Sequence, residues 1–127
     1  MAVIRSSAPY FPVADVAAAA HEYEHAFGFT IDYIAGEPAE FAIVSRDGCS
    51  VMLRRVPQPE LIRPNEGQGG TWDVFFWVDD ADGLFSELQD RGARVAYPPA
   101  DQAAYHIREF AIRDTSGYVL GFGQPLH

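Results

Sequence analysis

The tetrapeptide Glu40-Phe41-Ala42-Ile43 is written again at Glu109-Phe110-Ala111-Ile112, 69 residues further on. Each copy is followed by a glycine eight residues after its glutamate, Gly48 and Gly117, and then by an apolar run. Upstream, Val13-Ala14-Asp15 matches Val78-Asp79-Asp80 at an offset of 65. Ordered matches at nearly constant offset mark a duplicated module and restrict the fold to two similar halves. The difference between the offsets is assigned to a longer loop in the second half, PPADQAAYH, residues 98–106.

Both halves read as the same order of elements. In the first, a strand at 7–13 carries Pro9 and Pro12 and so belongs at an edge or bend. Asp15 suits a helix N-cap, Val16, Ala20, Tyr23 and Phe27 form an apolar stripe, and Gly28 suits the stop. Strands follow near 29–35, 40–45 and 50–56, the last two joined by an Asp47-Gly48 turn. The second half repeats this as strand 73–78, helix 80–91 and strands near 93–97, 107–113 and 118–123. Residues 57–71, rich in Pro and Gly, read as a linker between module one (5–56) and module two (72–124) of a single domain. The expected class is α+β: two βαβββ modules whose curved mixed sheets surround a concave pocket, with one helix outside each.

Alternation within the strands divides the two faces. Val74, Phe76 and Val78 suit a face under a helix, which turns Asp73, Phe75 and Trp77 inward. By the same reasoning Ala8, Tyr10 and Pro12 look inward, as do Ser50, Met52 and Arg54, while Val51, Leu53, Leu120 and Phe122 belong to the helix side. Such a cavity, walled by aromatics with a few polar groups, has the profile of a small-molecule pocket. The inward candidates are therefore Tyr10, Met52, Arg54, Asp73, Phe75 and Trp77, with Arg108 a further candidate whose face the alternation leaves open.

Composition narrows the partners. The formal charge of −9 disfavours nucleic acid and would attract a cationic small molecule. With one cysteine, Cys49, no intrachain disulfide can form, and a domain of 127 residues can bury enough surface to fold without metal or disulfide. The N-terminal residues show no apolar leader and no stretch suits a bilayer, so a cytoplasmic protein without a membrane partner is expected. Gly67-Gln68-Gly69-Gly70 lacks the lysine of a phosphate loop and reads as linker. His21-Glu22-Tyr23-Glu24-His25 spells HExxH, the helical zinc-protease motif. Because Tyr23 lies on the buried stripe, His21 and His25 turn toward solvent, where no protease site can form and only weak binding of Zn or Ni is expected.

Paired βαβββ modules, a V-x-D entry to each helix, the Gly28-Phe29 exit and the run from Arg108 to Phe122 resemble the vicinal-oxygen-chelate superfamily, and within it the bleomycin-resistance proteins. The resemblance spans nearly the whole chain. It implies that metal-dependent members would place ligands at Ala8, Met52, Asp73 and Gly121, a set with one carboxylate and no histidine. No metal and no cofactor are therefore expected. The resemblance also implies that Asp32 and Tyr33 border a drug crevice, and that His106 stands where an aromatic stacks on the ligand. A homodimer follows from it as well, with the N-terminal strand exchanged at Pro9. The function so implied is sequestration of an aromatic drug such as bleomycin, a cationic one included, without catalysis. The alternative is a glyoxalase- or dioxygenase-like lyase or oxidoreductase whose metal sits at unusual positions such as Asp73, His106 and Glu109.

Overall fold

The computed structural model describes residues 1–127. The chain divides into two compact units, Met1–Ile62 and Arg63–His127, each a four-stranded mixed sheet with one α-helix.

In the first unit β1 (Tyr10–Val13) leads into α1 (Val16–Phe27), then β2 (Thr30–Ala35), β3 (Phe41–Arg46) and β4 (Cys49–Arg55). The sheet order is β1-β4-β3-β2, with β1 parallel to β4 and the other pairs antiparallel. Asp15 caps α1, its side chain accepting from the Ala18 amide, and Gly28 closes the helix in the left-handed region at φ 75°. The stripe Val16, Ala20, Tyr23 and Phe27 is buried against Ala42, Val44, Val51 and Leu53. Asp47 and Gly48 both take positive φ, the geometry of the expected tight hairpin turn.

The second unit repeats this with β5 (Val74–Trp77), α2 (Ala81–Asp90), β6 (Arg94–Gln102), β7 (Ile107–Arg113) and β8 (Val119–Pro125) in the order β5-β8-β7-β6. Asp80 caps α2 through the Gly83 amide. On the helix side Phe76, Phe110 and Phe122 stack at centroid distances of 5.3 and 5.0 Å, and Phe85 of α2 meets Phe110 edge-on.

Three sequence expectations change. The repeated EFAI does not superpose. Tyr10 pairs with Met52 as Phe75 pairs with Gly121. Met52 in turn faces Ile43, whereas Gly121 faces Ala111. Phe41 is thus the counterpart of Glu109, and the tetrapeptide match is one residue out. A slip of one exchanges faces: Phe110 lies in the core under α2, whereas Phe41 lies on the helix-free side. The duplication is real as topology, and the identical letters occupy opposite faces.

Residues 98–106 are not an inserted loop. Most of the segment extends β6, with Ala100, Asp101 and Gln102 paired to Glu109, Arg108 and Ile107. Pro98 and Pro99 fall in a register shift of this edge strand, where a missing N–H breaks no ladder. The linker is folded as well, into short 3₁₀ turns at Pro59–Leu61 and Asn65–Gln68. Its second half is fastened to the second unit by a two-pronged Arg113–Glu66 pair at 3.0 and 2.5 Å. That contact holds the Glu66 carboxyl below its usual range.

Candidate functional site

The side of each sheet away from its helix carries aromatic side chains. In the first unit Tyr10 and Tyr33 flank Phe41 at 6.2 and 6.1 Å, and the Arg54 guanidinium lies 5.5 Å from the Tyr10 ring centre. Met52 shares this face by register, opposite Tyr10 and Ile43. Asp32 is exposed at a bulge between Ile31 and Tyr33. A recess of about 620 Å³ opens elsewhere in this unit, between the start of α1 and the β2–β3 turn, and none of the expected residues lines it.

The second unit builds the more elaborate surface. Trp72, Phe75 and Trp77 form a run of edge-to-face rings, with centroids 4.7 and 5.2 Å apart. This run depends on two glycines. A Cβ on Gly121 would lie 2.6 Å from Trp72, and one on Gly123 would lie 2.4 Å from Phe75. Alternate glycines thus leave a trough in β8 into which the rings settle. Trp77, at the end of the run, is 65% exposed.

Behind the rings stands a carboxylate. Glu109 is 1% exposed and projects from β7 to the helix-free side, opposite Gly123. One of its oxygens accepts from the Tyr97 hydroxyl at 2.5 Å and the other from the Tyr105 hydroxyl. Trp72 Nε1 donates to the Tyr97 oxygen at 2.8 Å, so the indole, the phenol and the carboxylate form one chain. Burial, and then the Glu109 hydrogen bond, push the Tyr97 phenol far above its ordinary range. The same carboxylate pushes Tyr105 up to about 12. Tyr105 itself is exposed, so the carboxylate is closed off from solvent on that side by a phenol held by a hydrogen bond at the surface.

Three expected site residues stand elsewhere. Arg108 projects to the helix side of β7, donating to Asp82 of α2 and to Asp101, each at 2.9 Å. Its side is that of Phe110 and Ile112, which share its parity in β7, and its acidic partner on α2 is distant in sequence. The Asp73 carboxylate is spent on backbone: one oxygen accepts from the Asn65 amide and the other from the Val119 amide, both at 2.8 Å. It ties the linker to the start of β8 and does not face an open pocket. His106 is exposed at positive φ in the turn before β7, its carbonyl accepting from Leu126. Phe75 and Trp77 lie on the expected face. Trp72, Tyr97, Tyr105 and Phe41 complete the two surfaces without having been anticipated, and the one early sign of them was the spacing of Gly121 and Gly123.

Residues 7–122 match the family model of the Glyoxalase/Bleomycin resistance protein/Dioxygenase superfamily. The chain belongs to that superfamily. Among solved structures it is similar to TioX from Micromonospora sp. ML1, with 24% identity over 96% of this chain and 99% of that one and a TM-score of 0.75. It also resembles TnmS3, an antibiotic-binding protein from Streptomyces sp. CB03234, with 25% identity over 98% of both chains and a TM-score of 0.70. The bleomycin-binding protein of Streptomyces verticillus, solved with copper(II)-bleomycin, is 22% identical over 100% of this chain and 99% of its own, with a TM-score of 0.69. A comparison with curated proteins finds no match.

Metal-dependent members of this superfamily would draw ligands from the positions of Ala8, Met52, Asp73 and Gly121. The residues here do not fit a divalent ion. Alanine and glycine offer no donor, a thioether suits soft metals, and both Asp73 oxygens already accept amide hydrogens. The space above Gly121 is filled by Trp72 and Phe75. The alternative set fares no better, since Glu109 is engaged at both oxygens and His106 stands apart on an exposed turn.

Proposed function

We propose that this superfamily member binds a small aromatic molecule and holds it chemically unchanged, without metal or cofactor, as a homodimer. The observation that carries the reading is the Trp72–Phe75–Trp77 run, a row of rings ending in a tryptophan left largely in solvent on a strand. Aromatic faces of this kind stack on flat heteroaromatic ligands. The Tyr10–Phe41–Tyr33 cluster of the first unit offers a second surface of the same chemistry.

Charge supports a neutral or cationic ligand. The net charge is −9 and Arg108 is engaged by two aspartates away from the rings, so that Arg54, beside the Tyr10 ring, is the cation on these aromatic surfaces. The similarity to antibiotic-binding and bleomycin-binding proteins supports the same class of ligand. A homodimer accords with the exposed Val3 and Ile4 ahead of Pro9, although in this structure β1 pairs with β4 of its own chain.

The test is a titration of metal-free bleomycin followed by tryptophan fluorescence. Saturation is expected at a Kd of ~1 µM or tighter, about −8 kcal/mol. Trp77→Ala should weaken it by about 2 kcal/mol, roughly 30-fold, as for an aromatic anchor that the ligand covers. No response up to ~100 µM, well short of that affinity, would remove the drug-binding reading.

A further inference from the structure

The solvent side of α1 carries a second kind of chemistry. We propose that His21, Glu24 and His25 form a surface site for a late first-row divalent cation, copper(II) most tightly and zinc or nickel less so.

The helix cannot turn these residues away. Its opposite stripe is buried, and Tyr23 is locked edge-on against Phe27 at 4.9 Å and Phe29 at 5.6 Å. One turn apart, the two imidazoles stack with centroids 6.0 Å apart and planes 20° from parallel. Glu24 reaches between them, with its Oε1 3.8 Å from His21 Nδ1 and 3.7 Å from His25 Nε2. A donor atom from each of the three residues lies within 4.8 Å of the other two.

Metal–ligand bonds of about 2.0–2.2 Å require donors roughly 3.3 Å apart in the tetrahedral arrangement of zinc, and about 2.9 Å apart at the right angles of tetragonal copper(II). The three groups are therefore within a small rotation of an exposed side chain from a coordinating geometry. Two imidazoles and one carboxylate are a borderline donor set, which favours copper and zinc over magnesium or calcium. One side of the ion would remain open to water, as in sites where metal exchanges rather than builds the fold.

The structure also changes which glutamate matters. In the HExxH motif Glu22 would be the water-activating base and not a ligand, whereas the carboxylate beside both histidines belongs to Glu24. This site is independent of the aromatic faces, since α1 packs on the other side of its sheet.

The experiment is calorimetric titration of copper(II) and of zinc into the full chain in a non-coordinating buffer, alongside His21→Ala, His25→Ala, Glu24→Gln and Glu22→Gln. One ion per chain is expected for the parent. Each histidine variant should lose at least the about 10–100-fold that removal of a mere outer-shell partner costs. Glu24→Gln should weaken binding, Glu22→Gln should leave it at the parental value, and copper resonance spectra should show two nitrogen donors. All four side chains lie on the surface of one helix, and unchanged circular dichroism verifies that each variant folds. Absence of saturable binding would overturn the proposal. So would undiminished binding in a His21→Ala/His25→Ala double variant, or an effect of Glu22→Gln equal to that of Glu24→Gln.

Discussion

Replacing Gly121 by alanine puts a methyl group where Trp72 Cδ1 would be 2.6 Å away, and Trp72 Nε1 and Phe75 Cδ2 each 2.8 Å away. Ordinary contact begins near 3.4 Å, so the indole has to retreat by close to 1 Å. That retreat pulls Nε1 from the Tyr97 oxygen, which is itself bonded to Glu109. Overpacking of this kind costs about 1–3 kcal/mol and a strained hydrogen bond about 1 kcal/mol. Against this, alanine loses less backbone entropy than glycine in a strand, by about 0.5–1 kcal/mol. The net expectation is a loss of about 2 kcal/mol. With an unfolding entropy near ~2.1 cal/mol/K per residue over the 127 residues, Tm should fall by roughly 7 °C. Thermal melting of the single variants, of Trp72→Ala and of the double variant measures this directly. The Gly121→Ala penalty should shrink by about 1 kcal/mol or more once Trp72 is gone, because Phe75 can swing into the vacated space. A Gly121→Ala protein as stable as the parent, or a penalty unaltered by Trp72→Ala, would refute the idea that β8 is a trough shaped for these rings.

Three other outcomes follow from the same geometry. Both phenols bonded to Glu109 are raised above the ordinary tyrosine range near ~10. Their contribution is therefore complete below that range and is lost as pH rises through the folded values, about 12 for Tyr105. In Glu109→Gln, two tyrosines should ionise earlier in an ultraviolet titration, and an unchanged titration would contradict the network. Asp73→Ala strips acceptors from two backbone amides and should cost about 2 kcal/mol in denaturant unfolding while leaving drug affinity unaltered. A large loss of affinity at unchanged stability would reinstate Asp73 as a ligand contact. Solution scattering should give twice the mass of one chain, and a monomeric mass would reject the proposed homodimer.

The fold was legible because its signals are local. Asp15 announces the first helix start and the pair Asp79-Asp80 the second, Asp47-Gly48 announces its hairpin, and the contrast of Val74 and Phe76 with Asp73, Phe75 and Trp77 assigns the faces of β5. The site was legible only in part, because its remaining members are chosen by contacts distant in sequence. Nothing near Arg108 says that Asp82 will claim it, and nothing near Asp73 says that Asn65 and Val119 will use both its oxygens. Tyr97 lies at the start of a bulged stretch of β6 whose two prolines read as loop, which hid the hydroxyl that reaches Glu109. The EFAI match misleads for a related reason. Identical letters one residue out of register fall on opposite faces, and only the hydrogen-bonded ladder reveals the slip.

Binding without chemistry is tested most directly by equilibrium dialysis of metal-free bleomycin against the protein, with the drug then released by denaturant and analysed by mass spectrometry. The expected result is one drug held per chain, recovered with its mass unchanged after prolonged incubation and whether or not a chelator is present. Recovery of a modified drug, or retention that a chelator abolishes, would contradict the account and point to a metal-dependent enzyme.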